Sequence, residues 1–465
     1  MIQLAPRGEK ADQILNLPYR RIAFCPGPQI SSLKVSATLL IKNRRYSRFK
    51  ICASTKAPPN TLNRKFADKV AGKSAAFRAW WAIWLSLGVT TLPVLGQNAP
   101  PGTLSVKPTE TKVLAAALPA EKWRQVEIGV DHALGWMASR QASGGGFPAP
   151  ASGEPAITSL CTMAFLSRGH QPGIGKYGHG INRAIDFVLT CQKADGLISY
   201  QAPGPVHLNR RASHTAVYNH AISGLMLGEV YGQVSGPRAK KVKQAIERAL
   251  EFTRQLQVRS KRPVDKGGWR YIPVYSSGID SDLSVTGWQL MFLRSARNAE
   301  FQVPQAAVDE AIDYVRRLWD PNSGAFNYQV NDVVRFGTRI TRGMTGAGIL
   351  CLSMAGQHQT PMARAAGDWL LKHPFKVFGD LIPGQDDRFF YGAYYCSQAM
   401  AQLGGRYWEQ FFPPLVDVLL SNQAADGSWP AEPNNGDFIF GNEYTTALAV
   451  LSLTPPYQLL PVYQR

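Results

Sequence analysis

The chain has 465 residues, 45% of them hydrophobic, with 42 glycines and 32 prolines dispersed along it. This composition supplies a large core, and the Gly and Pro residues read as punctuation between elements, not as disorder. The formal net charge of +19 would point to a nucleic-acid partner if it were evenly spread. Residues 1–78 alone hold 16 Lys+Arg against 3 Asp+Glu, leaving the remainder at +6, so nucleic acid is not expected.

The leader (1–78) ends in Arg64, Lys65, Lys69, Lys73 and Arg78, and an uncharged run over 79–96 follows (AWWAIWLSLGVTTLPVLG). Val94 and Gly96 are small residues before Gln97, and Pro93 supplies a break. A basic stretch, an apolar stretch and small residues form the pattern of a secretory signal, so export to the periplasm, cell envelope or medium is expected, with cleavage before Gln97. At about 18 residues the run is also just long enough for an uncleaved anchor, and membrane contact would then be through 79–96 alone. Residues 1–63 exceed a normal basic region, and no Met lies between Met1 and Met137. Translation starting near Leu62 or Val70 on a non-ATG codon fits that pattern. A polar linker spans 97–120.

From 121 to 455 the chain repeats itself. Gln141–Phe147 (QASGGGF) holds a Gln and a Gly four residues on. Ile181, Ala184, Ile185, Val188 and Leu189 then mark a helix with one apolar stripe. It runs into Asp186–Gly196 (DFVLTCQKADG), which matches Asp417–Gly427 (DVLLSNQAADG) at six of eleven positions. Residues 214–232 are apolar or small nearly all round, as a helix buried on every side must be. Gly267-Gly268-Trp269 keeps only the turn, and 282–298 is a second all-round helix. The stripe returns at Val308, Ala311, Ile312, Val315 and Leu318, and Asp320–Phe326 (DPNSGAF) keeps a Gly and an aromatic. The helix at 342–356, the stripe at Met362, Ala365, Ala366, Trp369 and Leu370, and the helices at 391–404 and 443–453 complete the alternation, and a tail covers 456–465. Alternating one-sided and all-round helices predict an all-α fold with an inner ring inside an outer one. In each turn Gly196 or Gly427 can take positive φ, Asp195 or Asp426 can bond the turn backbone, and Gln192 or Gln423 can bond the next helix, with Trp429 stacked on the Gln. Cys161, Cys191, Cys351 and Cys396 sit singly in apolar runs without CxxC spacing, so a metal site is not expected; export permits a disulfide, but the sequence cannot pair them.

Gln423–Trp429 (QAADGSW) resembles the QW motif of squalene–hopene cyclases, and 121–455 resembles the prenyltransferase and squalene-cyclase repeat superfamily. The resemblance implies an α6/α6 toroid. It implies little about activity, because the chemistry of these proteins lies in other motifs. Asp280-Ser-Asp282-Leu283 resembles the proton-donating Asp-x-Asp-Asp run, with Asp282 where the donor would stand and Leu283 replacing the last carboxyl. Asp282 therefore has two readings: an acid for an alkene, or the cap of the helix that follows. The zinc site of prenyltransferase β-subunits is not matched, since Tyr394 stands where an Asp would precede Cys396 and no His follows Tyr444. His214 and His220, at i and i+6, do not share a face for a metal. No cofactor is implied.

A glycan-active reading needs two carboxyl groups across the ring, and Asp280, Asp282, Asp386, Asp387, Asp437 and Glu443 are the candidates. A central pocket is expected from Trp269, Tyr271, Trp288, Tyr328, Tyr391, Tyr394, Tyr395 and Tyr444, with Tyr275 and other rim aromatics nearby. Arg335, Arg339 and Arg342 would meet a pyrophosphate. Two function classes follow: a non-cyclising binding or scaffold toroid whose partner is an isoprenoid, another hydrophobic small molecule or an envelope protein, or an enzyme on an isoprenoid or glycan with Asp282 as acid.

Overall fold

The computed structural model describes residues 113–204, 210–272, 280–330, 340–382, 387–431 and 436–464. The leader, the 79–96 run, Tyr275, Arg335, Arg339 and Asp386 lie outside the described residues. Among the described residues, twelve α-helices of 12 to 22 residues alternate between two layers. The outer layer is α1 (Ala120–Arg140), α3 (Gly175–Thr190), α5 (Gly236–Gln257), α7 (Gln305–Arg317), α9 (Pro361–Lys372) and α11 (Gly405–Ser421). The inner layer is α2 (Ala156–Ser167), α4 (Arg210–Tyr231), α6 (Leu283–Asn298), α8 (Arg342–Met354), α10 (Phe389–Leu403) and α12 (Asn442–Leu453). Each inner helix packs on the inner helix of the next pair, and α12 packs back on α2, which closes the ring. The result is an α6/α6 toroid.

Burial separates the layers as the apolar patterning requires. All twelve residues of α2 are buried, against six of the sixteen in α3, whose buried face is Tyr177, Gly178, Ile181, Ala184, Ile185 and Val188. The stripe of α9 is rotated from the expected one: Ala363, Ala366, Gly367 and Leu370 are buried, whereas Trp369 lies at the edge and stacks on His373 at 3.9 Å. The first pair, α1 and α2, and α11, which contains Pro413 and Pro414, were not expected individually. Tandem prolines cost a helix its local hydrogen bonds, but Tyr407, Trp408, Phe411, Phe412, Leu415 and Val416 of α11 are all buried, and this packing holds the helix together.

The repeat turns are staples between neighbouring outer helices. Gln192 Nε2 donates to Gly196 O at 3.2 Å and to Ala245 O of α5 at 2.9 Å. Gln423 Nε2 donates to Gly427 O and to Gly129 O of α1, both at 2.8 Å, so it ties the sixth outer helix to the first. Gln141 makes the same pair of bonds, to Gly145 O and Gly180 O. Gln257 was missed: it bonds Gly267 O and Ala307 O at 2.8 Å, but stands ten residues before its glycine instead of four. Asp195 accepts from Leu197 N and Asp426 from Ser428 N, as turn carboxylates do. Gly196 and Gly427 have φ near 97° and 96°, the left-handed region that favours glycine.

A second set of bonds ties each turn to its inner helix. The backbone N–H groups of Phe147, Trp269 and Trp429 donate to Thr158, Thr286 and Thr446 Oγ1 at 3.0, 3.1 and 3.0 Å. In the second repeat Ile198 N donates to His220 Nδ1 at 3.1 Å, so the imidazole replaces the threonine. Burial pushes His220 down to about 3, leaving it neutral. The Trp429 indole N–H donates to Leu419 O at 2.7 Å, which pins the ring to α11.

Candidate functional site

Every inner helix begins at the same end of the ring. There a cavity of about 580 Å³ opens among the starts of α2, α4, α6, α8, α10 and α12, and the positive ends of the helix dipoles converge on it. Its wall carries Tyr218, Tyr271, Trp288, Tyr328, Tyr391 and Tyr444, with Phe440 at the rim. Arg211, Arg270, Arg388 and His214 supply its basic groups. No Asp or Glu side chain is among the described lining residues.

Five of the expected pocket residues are thus on the wall and four are not. Tyr391 faces the cavity, but Tyr394 and Tyr395 lie one turn deeper, where Trp288 fills the narrowing ring. Trp288 stacks on Tyr394 at 5.3 Å and meets Tyr395 edge-on at 5.4 Å. Trp269 is fully buried between layers, with its indole N–H on Thr253 O at 2.8 Å. Arg342 points away from the cavity: its guanidinium pairs with Asp387 at 2.7 Å and Asp380 at 2.9 Å and lies 4.0 Å from the Phe375 ring centre. It is a structural tie. The wall residues Tyr218, Arg211, Arg270 and Arg388 went unread because they are spread over separate segments and only ring closure brings them together.

Asp282 lies directly behind the wall. It is fully buried and caps α6: Oδ1 accepts from Val285 N at 2.9 Å and from Ser284 Oγ at 2.6 Å. Arg270 Nη1 donates to Oδ2 at 3.2 Å. Burial pushes this carboxyl up, while Arg270, Ser284, Val285 N–H and Tyr328 oppose the push. All four are donors and favour the carboxylate, the opposite of what a strong neutral acid needs. Although burial works against its charge, Arg270 holds its proton more tightly than usual because the Asp282 carboxylate faces it. The carboxylate reaches the cavity through its neighbours alone: Ser284 Oγ also bonds Tyr218 OH at 2.5 Å, and both of these residues line the wall. Beside them the Tyr271 and Tyr328 hydroxyls bond each other, and Arg270 lies over both rings.

The other candidate acids are committed elsewhere. Asp280 is not among the described lining residues, and its backbone N–H donates to Asp265 Oδ2 at 3.2 Å. Asp387 answers Arg342, and Glu443 pairs with Arg140 at 2.5 Å. Asp437 accepts from Phe390 N at 3.0 Å and is pushed up to about 6 by burial. Glu154, missed in the sequence, is pushed up to about 8 by burial, and its carboxylate accepts from Thr158 N and Oγ1. Burial also raises the phenols of Tyr218, Tyr271, Tyr328, Tyr391 and Tyr444, so the wall presents neutral hydroxyls. The four described cysteines are free and buried, and no three metal-binding side chains converge among the described residues. No described helix is long and apolar enough to cross a membrane.

No protein-family model matches the sequence, and no curated protein does. Solved structures match the fold. A glycosidase variant in complex with glucose is 11% identical over 74% of this chain and 100% of its own, with a TM-score of 0.50. The type II terpene cyclase MstE from Scytonema, in complex with merosterolic acid A, is 15% identical over 74% and 100% of the two chains, at a TM-score of 0.48. A protein from Actinoplanes is 14% identical over 71% and 99%, at 0.46. At such identities the likeness concerns fold alone.

Proposed function

We propose that the chain is an exported, non-cyclising toroid that binds a small hydrophobic molecule, such as an isoprenoid, in its central cavity. The observation that carries this reading is the wall itself: aromatic rings and basic groups, with Asp282 held behind Ser284 and saturated with donors. A concavity walled by aliphatic and aromatic side chains with fixed polar groups among them is the usual form of a small-molecule site. Two-carboxylate glycoside hydrolysis gains no support from this wall. Export rests on the basic–apolar–small pattern of 64–96, and an envelope protein is the macromolecular partner that export would make available.

Fluorescence titration of the full chain with farnesol tests the reading, because Trp288 lines the cavity. Saturable quenching is expected. Ile222→Phe, which adds a ring to a lining position on α4, should weaken binding by about tenfold or more, roughly 1.4 kcal/mol, with helicity unchanged. Equal affinity in the two proteins would reject the cavity as the site.

One observation favours a second reading, acid catalysis: the continuous chain from Asp282 through Ser284 to the Tyr218 hydroxyl on the wall. Incubation with squalene and shorter polyprenes separates the two. A product lost in Asp282→Asn would establish the enzyme, and no Asp282-dependent product is expected.

A further inference from the structure

We infer that the segment Pro461–Gln464 backs the inner end of the central cavity through Tyr394 and Trp288 and that Tyr463 thereby sets the length of ligand the cavity admits; this rests on the cavity being the binding site. The mouth lies where the inner helices start. At their other ends, three of them grip one short segment. Asn298, the last residue of α6, donates from Nδ2 to Pro461 O at 2.9 Å. Gln402, near the end of α10, donates from Nε2 to Tyr463 O at 2.6 Å. Glu229, near the end of α4, accepts from Val462 N at 3.3 Å. Helix ends leave carbonyls and little side-chain bulk to close a ring, and here the segment supplies the bulk: Val462 and Tyr463 are buried.

From this grip Tyr463 reaches inward between α6 and α10. Its hydroxyl bonds the Tyr394 hydroxyl and lies 3.7 Å from Met291 Sδ. Tyr394 stacks almost parallel to Trp288, at 9° and 5.3 Å, and Trp288 lines the cavity. A column of Tyr463, Tyr394 and Trp288 therefore joins the far end of the ring to the cavity wall. Close-packed interiors transmit such a loss: without the Tyr463 ring, Tyr394 has a void beneath it and Trp288 loses its stop. The tail thereby determines the cavity's depth, although none of its residues lines it.

Two measurements on Tyr463→Ala in the full chain test this. The first is affinity for geraniol, farnesol and geranylgeraniol; the preference for the longest over the shortest should rise about tenfold relative to the parent. The second is peroxide oxidation of Met291, read by peptide mass, with the equally buried Met163 of α2 as the folding control. Met291 should become oxidisable while Met163 stays protected. An unchanged chain-length preference with Met291 still protected overturns the inference. If Met163 is exposed as well, the variant has unfolded, and Tyr463→Leu, which keeps the segment apolar, is judged by the same two criteria. If no polyprenol binds either protein, the binding reading fails and the length rule with it, while the Met291 result still decides whether the segment backs the Tyr394–Trp288 stack.

Discussion

Gly267→Ala should destabilise the toroid by more than about 4 kcal/mol, beyond the range of ordinary single substitutions. Gly267 has φ of 92°, and a left-handed conformation costs any other L-residue roughly 1–2 kcal/mol. The larger effect is steric. A Cβ there would sit 1.9 Å from Glu310 O and 2.5 Å from its carbonyl carbon, both backbone atoms of α7 that cannot rotate away. The turn would have to lift from the outer helix, and the Gln257 bonds to Gly267 O and Ala307 O would part with it. The melting temperature should fall by about 5 °C or more, at roughly 1.4 °C per kcal/mol for a domain of about 350 residues. Gly232→Ala is the control: a Cβ at Gly232 meets nothing within 4 Å, and its effect should be within about 0.5 kcal/mol. Equal melting temperatures for the two variants would mean that the turns do not staple the outer helices.

Asp282→Ala should cost about 3–5 kcal/mol, because it leaves the Arg270 guanidinium buried without its counter-charge. Loss of the α6 cap adds about 1 kcal/mol. Asp282→Asn keeps an acceptor for Val285 N but turns an amide N–H₂ toward a guanidinium, donor against donor, so an intermediate loss of about 1–3 kcal/mol is expected. Replacing both partners with apolar residues of similar volume, Asp282→Leu with Arg270→Met, should recover much of the loss seen in Asp282→Ala. Chemical denaturation of the four proteins measures this. If Asp282→Ala were as stable as the parent, the carboxyl would be held neutral and unpaired, and the acid reading would gain what the pairing argument lost.

The double ring was legible because its two helix types leave opposite traces. The α3 stripe of Ile181, Ala184, Ile185 and Val188 repeats every three or four residues, and α6 is apolar all round. Local signals also revealed Asp282 as a cap, since a cap needs only its own helix. What failed was whatever depends on closure or register. Gln257 was invisible because its loop is six residues longer than those of its counterparts. The threonine partners of the turns lie 11 residues away in the first repeat, 17 in two others and 19 for Thr345, and they share no fixed period. Aromatic content pointed to the central region, but depth along an inner helix decides whether a ring is wall or packing. Tyr391 and Tyr395 are one turn apart and differ in exactly this respect. Arg342 shows the remaining gap: position next to Gly343 on the wall says nothing of where a long side chain points.

Closure of the ring is the claim on which site and function both depend. Lys122 of α1 and Asp417 of α11 form an ion pair at 2.8 Å, and both are accessible to solvent. A carbodiimide, which joins an amine to a carboxylate without a spacer, should therefore yield a Lys122–Asp417 cross-linked peptide from the monomer. The Lys243–Glu247 pair within α5, at 3.5 Å, provides the positive control. Finding the first cross-link alongside the second is the predicted result. Recovering Lys243–Glu247 without Lys122–Asp417 would mean that the first and last outer helices are not neighbours, and that the helices form an open arc with no central cavity.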